Sequence, residues 1–187
     1  KTNNNIEYHD KEWGVPIYDD QKIFEFLLLE TFQAGLSWIT ILRKRENFRK
    51  AFDNFNYKII ANYSNEKLEA LRNDAGIIRN QLKIQASKTN AIAFIEVQKE
   101  FGSFSKYIWD FVDSKPIQNN FTSIRKFPTS TPLSDKITKK LKSRGFKFIG
   151  SKIVYAQMQA MGMVNDHTTD CFRHKELLSI VSPPLKS

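Results

Sequence analysis

Glu30 is the residue whose type and setting most need a chemical explanation. It falls on the stripe Ile23, Leu27, Glu30, Ala34, at helical spacing, in a segment otherwise made of Leu and Phe. A carboxylate there is expected to be partly buried. An unpaired buried charge is costly, so the site must supply hydrogen bonds or a cationic partner, and a cationic ligand is one such partner. The plainer alternative is a Glu at the helix end, turned to solvent or paired with a local Arg or Lys. Tyr8, Trp13 and Trp38 lie near Glu30 in sequence. Three large flat side chains beside one acid suggest a slot for a planar, positively charged base, held by stacking and cation–π attraction. Core filling is the competing reading of such residues.

A second group is His167-Thr168-Thr169-Asp170-Cys171. If the segment is helical, its i, i+4 spacing puts an imidazole and a thiolate on one face, as metal ligation requires. His9 is available from the other end of the chain, and zinc is the natural ion for such donors. His174 is either a fourth candidate ligand or an exposed residue. A third feature is Ala75-Gly76-Ile77-Ile78-Arg79, where Gly76 and Ile77 stand between two amphipathic segments. A Gly there lets backbone N–H groups approach a phosphate, with the positive end of the next helix behind them. A plain hairpin turn needing positive φ explains the same residues.

These residues must be held by helices, because helical periodicity dominates and no convincing strand alternation is present. A first helix is expected over residues 20 to 33, capped by Asp19 or Asp20, with a nearly all-round apolar body and hence a central place. Ser37 is a cap for a second helix, with Trp38, Ile41, Phe48 and Phe52 on one side and Arg43, Lys44, Arg49 and Lys50 on the others. A helical hairpin near residues 66–95 follows, its second arm carrying Ile84, Ala91 and Ile95. Phe121 to Pro132 reads as a loop leading to a helix capped near Ser134, with Ile137 and Leu141 inside and Lys136, Lys139, Lys140 and Lys142 outside. Gly145 ends that helix, another runs from Gly150-Ser151 through Met161, and the tail at Pro183-Pro184 is expected to fray. The fold class is all-α, organised as one domain over residues 1–187.

Bulk properties narrow the function. The 187 residues are 41% hydrophobic with 15 Phe, enough for a packed core, and no apolar run approaches the ~20 residues of a membrane span. A single Cys cannot form an internal disulfide, and the first residues lack an apolar signal core, so an intracellular, cytoplasmic setting is expected. The net charge of +9 draws the chain to polyanions, chiefly nucleic acid, unless the lysines serve only solubility.

The strings Tyr8-His9-Asp10-Lys11-Glu12-Trp13-Gly14-Val15-Pro16, Leu29-Glu30 with Gln33-Ala34-Gly35-Leu36-Ser37-Trp38, Asp74-Ala75-Gly76-Ile77-Ile78-Arg79, Arg144-Gly145-Phe146-Lys147-Phe148 and Asn165-Asp166-His167 are specific in their order. From Tyr8 to Cys171 the chain resembles the bacterial 3-methyladenine DNA glycosylase I family. The resemblance implies a helix-hairpin-helix glycosylase fold, with a zinc-binding lobe formed by the N-terminal segment and the region near 163–175. It implies Glu30 as the pocket acid, Tyr8, Trp13 and Trp38 as pocket aromatics, and Gly35-Leu36 as the tip that enters DNA. His9, His167 and Cys171 match three of four ligands to a structural zinc. The pattern's fourth ligand, a Cys upstream of the first aromatic, and an adjoining pocket Trp have no counterpart in residues 1–7. The implied activity is monofunctional excision of 3-methyladenine from double-stranded DNA by a monomer. Most helix-hairpin-helix glycosylases use an Asp to support a developing sugar cation, and no Asp after the 74–79 hairpin fits that motif, Asp135 included. A non-catalytic helix-hairpin-helix DNA-binding module is the alternative from another class.

Overall fold

The computed structural model describes residues 3–33 and 35–180; Ala34 and the Pro183-Pro184 tail lie outside the described residues. Ten helices account for most of the described chain: α1 (Asn3–Lys11), α2 (Asp20–Gln33), α3 (Trp38–Ala51), α4 (Tyr57–Ile60), α5 (Asn65–Asn73), α6 (Gln81–Phe101), α7 (Phe104–Trp109), α8 (Pro132–Ser143), α9 (Ser151–Ala160) and α10 (Phe172–Leu178). Among the described residues no helix is long and apolar enough to cross a membrane.

The central element is α2, at the bounds its periodicity predicts. Asp19 caps it by accepting from the Lys22 amide at 2.8 Å, and Ile23, Phe24, Leu28, Leu29 and Phe32 are fully buried. It packs against α3, α6, α7 and α9, an all-round burial that its uninterrupted apolar body requires. At its far end Lys83, reaching from α6, donates to the Phe32 carbonyl at 3.2 Å, a cation placed on the negative end of the helix.

The structure departs from the sequence reading at several ends. Helix α1 precedes the expected first helix and carries Tyr8 and His9; its polar composition concealed it. Ser37 occupies the N-cap of α3, but its hydroxyl bonds the Thr40 hydroxyl at 2.8 Å and caps no backbone amide. The cap of α8 is Thr131 in a reciprocal capping box, with Ser134 three residues inside it rather than the cap itself. A short 3₁₀ turn, Ile124–Lys126, interrupts the expected 121–132 loop. The class is mostly helical, with one exception: β1 (Ile117–Gln118) and β2 (Val164–Asn165) pair in parallel, Ile117 opposite Val164. Two residues are too few for strand alternation to show in sequence.

Gly-containing turns fold α5 onto α6 and α8 onto α9. A third connection is decided by Gly162, at φ +73, where a Cβ would lie 2.4 Å from the Pro16 nitrogen and the Val15 carbonyl carbon. Only Gly allows that close backbone approach. It brings the α1–α2 linker against the end of α9, where the Gly14 amide donates to the Gln159 carbonyl and the Ile17 amide to the Met161 carbonyl, each at 3.0 Å.

Candidate active site

Glu30 sits one turn from the end of α2, only 3% exposed. Its Oε2 is buried without a hydrogen-bond partner among the described residues. Burial raises its pKa to about 8, because no neighbouring donor or cation repays the loss of water around the charged form. The solvent-facing alternative for this residue is therefore excluded.

A cavity of about 220 Å³ opens beside it, lined by Tyr8, Trp13, Glu30, Gln33, Trp38, Ala156 and Gln159. The three aromatics reach it from three places: Tyr8 from α1, Trp13 from the following turn, and Trp38 from the first residue of α3. The Tyr8 and Trp38 rings lie 5.4 Å apart at 51°. Burial, followed by the nearby Glu30 carboxylate, pushes the Tyr8 hydroxyl well above its usual pKa. The buried Trp38 Nε1 leans toward that hydroxyl without a well-aligned hydrogen bond. The slot thus presents flat apolar walls, one unsatisfied acceptor and one unsatisfied donor. A second cavity of about 280 Å³ shares the same three aromatics and continues past Ile124, Phe127, His167 and Thr168.

Beyond the slot, Gly35 turns the chain at φ +85 and nothing lies within 4 Å of where its Cβ would be. The next residue, Leu36, is 39% exposed, an apolar side chain displayed at the end of the helix that carries Glu30. At the other turn the geometry differs from expectation. The Gly76 amide is taken by Asp74 Oδ1 at 2.7 Å, and the Ile77 side chain is 3% exposed. Gly76 has no positive φ; a Cβ there would crowd Asp74 Oδ1 at 3.0 Å and Asn47 Cβ at 3.3 Å. At this turn the amides of Ala75, Ile78 and Arg79 have no acceptor among the described residues.

His9, His167 and Cys171 come together, their ligand atoms all within 4.8 Å of one another. Cys171 Sγ lies 3.8 Å from His9 Nε2 and 3.5 Å from His167 Nδ1. The far ring nitrogens are engaged: His9 Nδ1 with Asp10 Oδ1 at 2.7 Å and His167 Nε2 with the Trp13 carbonyl at 3.0 Å. A carbonyl can only accept, so His167 Nε2 carries the proton and Nδ1 keeps its lone pair toward the thiol; Asp10 orients His9 in the same way. Contrary to the sequence reading, His167 and Cys171 share no helical face. They stand at the two sides of a turn, with the Cys171 amide donating to the Thr168 carbonyl at 2.8 Å just before α10. His174 is buried, not exposed, and its Nε2 bonds the Asn119 carbonyl at 2.9 Å, away from the cluster.

Sequence reasoning missed Gln33, Ala156 and Gln159 as slot residues. Gln33 lies within a motif already noted, but nothing in local pattern marks Gln159. It also missed Arg45, which is buried and donates from Nε to Glu25 Oε1 at 2.7 Å and from one terminal nitrogen to both Glu12 oxygens at 2.9 and 2.8 Å. Because Glu12 adjoins Trp13, and the Glu12 and Trp13 amides both donate to the Tyr8 carbonyl, this network ties the Tyr8 and Trp13 walls to α3.

The chain is similar to known proteins along nearly its whole length. The pattern of the methyladenine glycosylase family matches residues 1–174. A DNA-3-methyladenine glycosylase of Haemophilus influenzae is 48% identical over 166 residues, covering 89% of this chain and 90% of the relative. A crystal structure of a 3-methyladenine DNA glycosylase I, 49% identical, superposes with a TM-score of 0.89 over 92% of this chain and 94% of the other. That of Staphylococcus aureus, described for its recognition of 3-methyladenine, is 32% identical with a TM-score of 0.90, covering 92% of each chain. The chain belongs to the methyladenine glycosylase family.

Proposed function

We propose that this chain is a monofunctional DNA-3-methyladenine glycosylase, which hydrolyses the N-glycosidic bond of 3-methyladenine in double-stranded DNA and leaves an abasic site. The observation that carries the reading at the level of residues is Glu30, a buried carboxylate with an unpartnered oxygen in an aromatic slot. Methylation at N3 makes the adenine of a nucleotide a cation. A cationic ring between Tyr8, Trp13 and Trp38 gains cation–π attraction that neutral adenine lacks, and Glu30 accepts from its exocyclic amino group.

Leu36, on the Gly35 turn, enters the duplex and fills the gap left as the damaged nucleotide swings out, an extrusion made cheaper by weakened pairing. The ring then leaves as neutral 3-methyladenine with the electrons of the N9–C1′ bond. Water supplies the new C1′–OH bond and its proton passes to solvent. Phosphates near the α5–α6 turn meet the free amides of Ile78 and Arg79, with Gly76 and Ile77 setting the shape of the turn. The donor set of His9 Nε2, His167 Nδ1 and Cys171 Sγ suits zinc. When bound, the ion supplies a structural clip between α1 and the turn before α10, and no step passes through it. One chain suffices for the reaction, which takes place where a bacterium keeps its DNA, in the cytoplasm.

The test is release of free bases from methylated duplex DNA. The wild type frees 3-methyladenine, and Glu30→Gln loses roughly 10- to 100-fold, the worth of a charge-assisted hydrogen bond. A chain that binds duplex and frees no base is a binding module instead. Elemental analysis checks the clip: one zinc per chain in the wild type, lost in Cys171→Ser. Wild-type protein purified from zinc-supplemented medium without zinc refutes it.

A further inference from the structure

Asp166 is a buried carboxylate, 1% exposed, that the reading above does not use. Three donors hold it: the Tyr155 hydroxyl at 2.7 Å and Gln159 Nε2 at 2.8 Å on Oδ2, and Asn119 Nδ2 at 2.6 Å on Oδ1. Gln159 borders the same slot as Glu30. A carboxylate can only accept, so the Gln159 amide has one permitted orientation. Turned over, its carbonyl oxygen would face the charge of Asp166. Oε1 is therefore directed away from Asp166, and it accepts no hydrogen bond among the described residues.

We propose that Gln159, locked by Asp166, is a second acceptor for the extruded base that reads its exocyclic amino group and so selects 6-amino over 6-oxo purines. The proposal rests on the glycosylase reading. A 6-amino group carries two N–H donors, one for Glu30 and one for Gln159. A 6-oxo group carries only lone pairs, which meet a fixed acceptor lone pair with repulsion and an unmade bond. Glu30 alone discriminates less sharply, because a carboxyl group in an apolar slot can hold a proton and donate to an oxo group. The Gln159 amide has no such freedom. Asp166 is thus a positioning residue acting through Gln159.

The experiment uses duplex DNA methylated to contain both 3-methyladenine and 3-methylguanine, and measures the ratio of the two bases released. Gln159→Met keeps the length of the side chain and removes the amide. It is expected to shift the ratio toward 3-methylguanine by about tenfold, the discrimination one hydrogen bond can supply. Asp166→Asn, which lets the amide turn, shifts the ratio in the same direction, an effect a purely structural loss would not produce, since that lowers both bases alike. An unchanged ratio in folded Gln159→Met overturns the inference and leaves the glycosylase reading standing. A wild type that frees neither base overturns both. Should Gln159→Met fail to fold, the wild type decides by NMR. Its Gln159 side-chain amide resonances move on adding free 3-methyladenine if Oε1 accepts from the base, and stay fixed if it does not.

Discussion

Glu25 and Glu30 stand on the same helix, and both are buried, at 7% and 3% exposure. Glu25 is neutralised by its own protein: Arg45 Nε donates at 2.7 Å and Arg49 at 2.8 Å. Glu30 has an oxygen with no partner and a pKa raised to about 8. The contrast separates two uses of a buried acid. One closes an internal account between α2, α3 and the α1–α2 turn, and the other is left open toward a cavity that a cation can enter.

The largest effect expected from breaking this contrast is on the satisfied side. Arg45→Met leaves the buried Glu25 with Arg49 alone, takes the Arg45 cation from Glu12, and removes the charge that lies 5.1 Å over the Phe26 ring. Loss of one partner from a buried pair costs about 3–5 kcal/mol, read as a shift in denaturant midpoint. Adding Glu25→Leu to Arg45→Met recovers part of the loss; no recovery would mean that Arg45 acts through packing alone.

On the open side the sign reverses. The fold favours the neutral Glu30 acid, so its contribution to stability is fully present below the ordinary value of 4.5 and is lost as pH rises through about 8. Glu30→Gln escapes that loss and is more stable than wild type by up to roughly 3 kcal/mol at neutral pH. The difference between the two proteins grows from pH 4.5 to 8 and then levels. A difference independent of pH would show that Glu30 is already paired. The same linkage makes affinity for a permanently cationic base analogue rise with pH by at most about tenfold per unit, flattening near pH 8.

The smallest expected effect is at the rim of the satisfied network. Arg49 is 34% exposed on its side chain and shares Glu25 with Arg45. Arg49→Ala costs about 1 kcal/mol or less, since a half-exposed ion pair is screened by water. A loss as large as that of Arg45→Met would place the neutralising charge on Arg49 instead.

Much of the helical frame was legible because periodicity is a local property. The bounds of α2, the apolar faces of α3 and α8, and the stop at Gly145 follow from residues within a turn or two of one another. Glu30 stood out for the same reason, as one acid in an apolar stripe. Helix α1 was not legible because Asn3 to Lys11 carries almost no apolar face and takes its order from packing on α3. Arg45 was not singled out, since sequence cannot say that two acids, Glu12 and Glu25, arrive on either side of it.

By itself the sequence determined that α2 is central, that Glu30 lies in its apolar body, and that three aromatics and a His/Cys group are available to a basic chain. Only the tertiary structure decided that Glu25 is neutralised while Glu30 is not. It alone joined His9 to Cys171 across 162 residues, occupied the Gly76 amide, and brought Gln159 to the slot. The reason is physical: propensity and periodicity act over a few residues, whereas the partner of a buried polar group is set by which distant segment the closed chain returns to it.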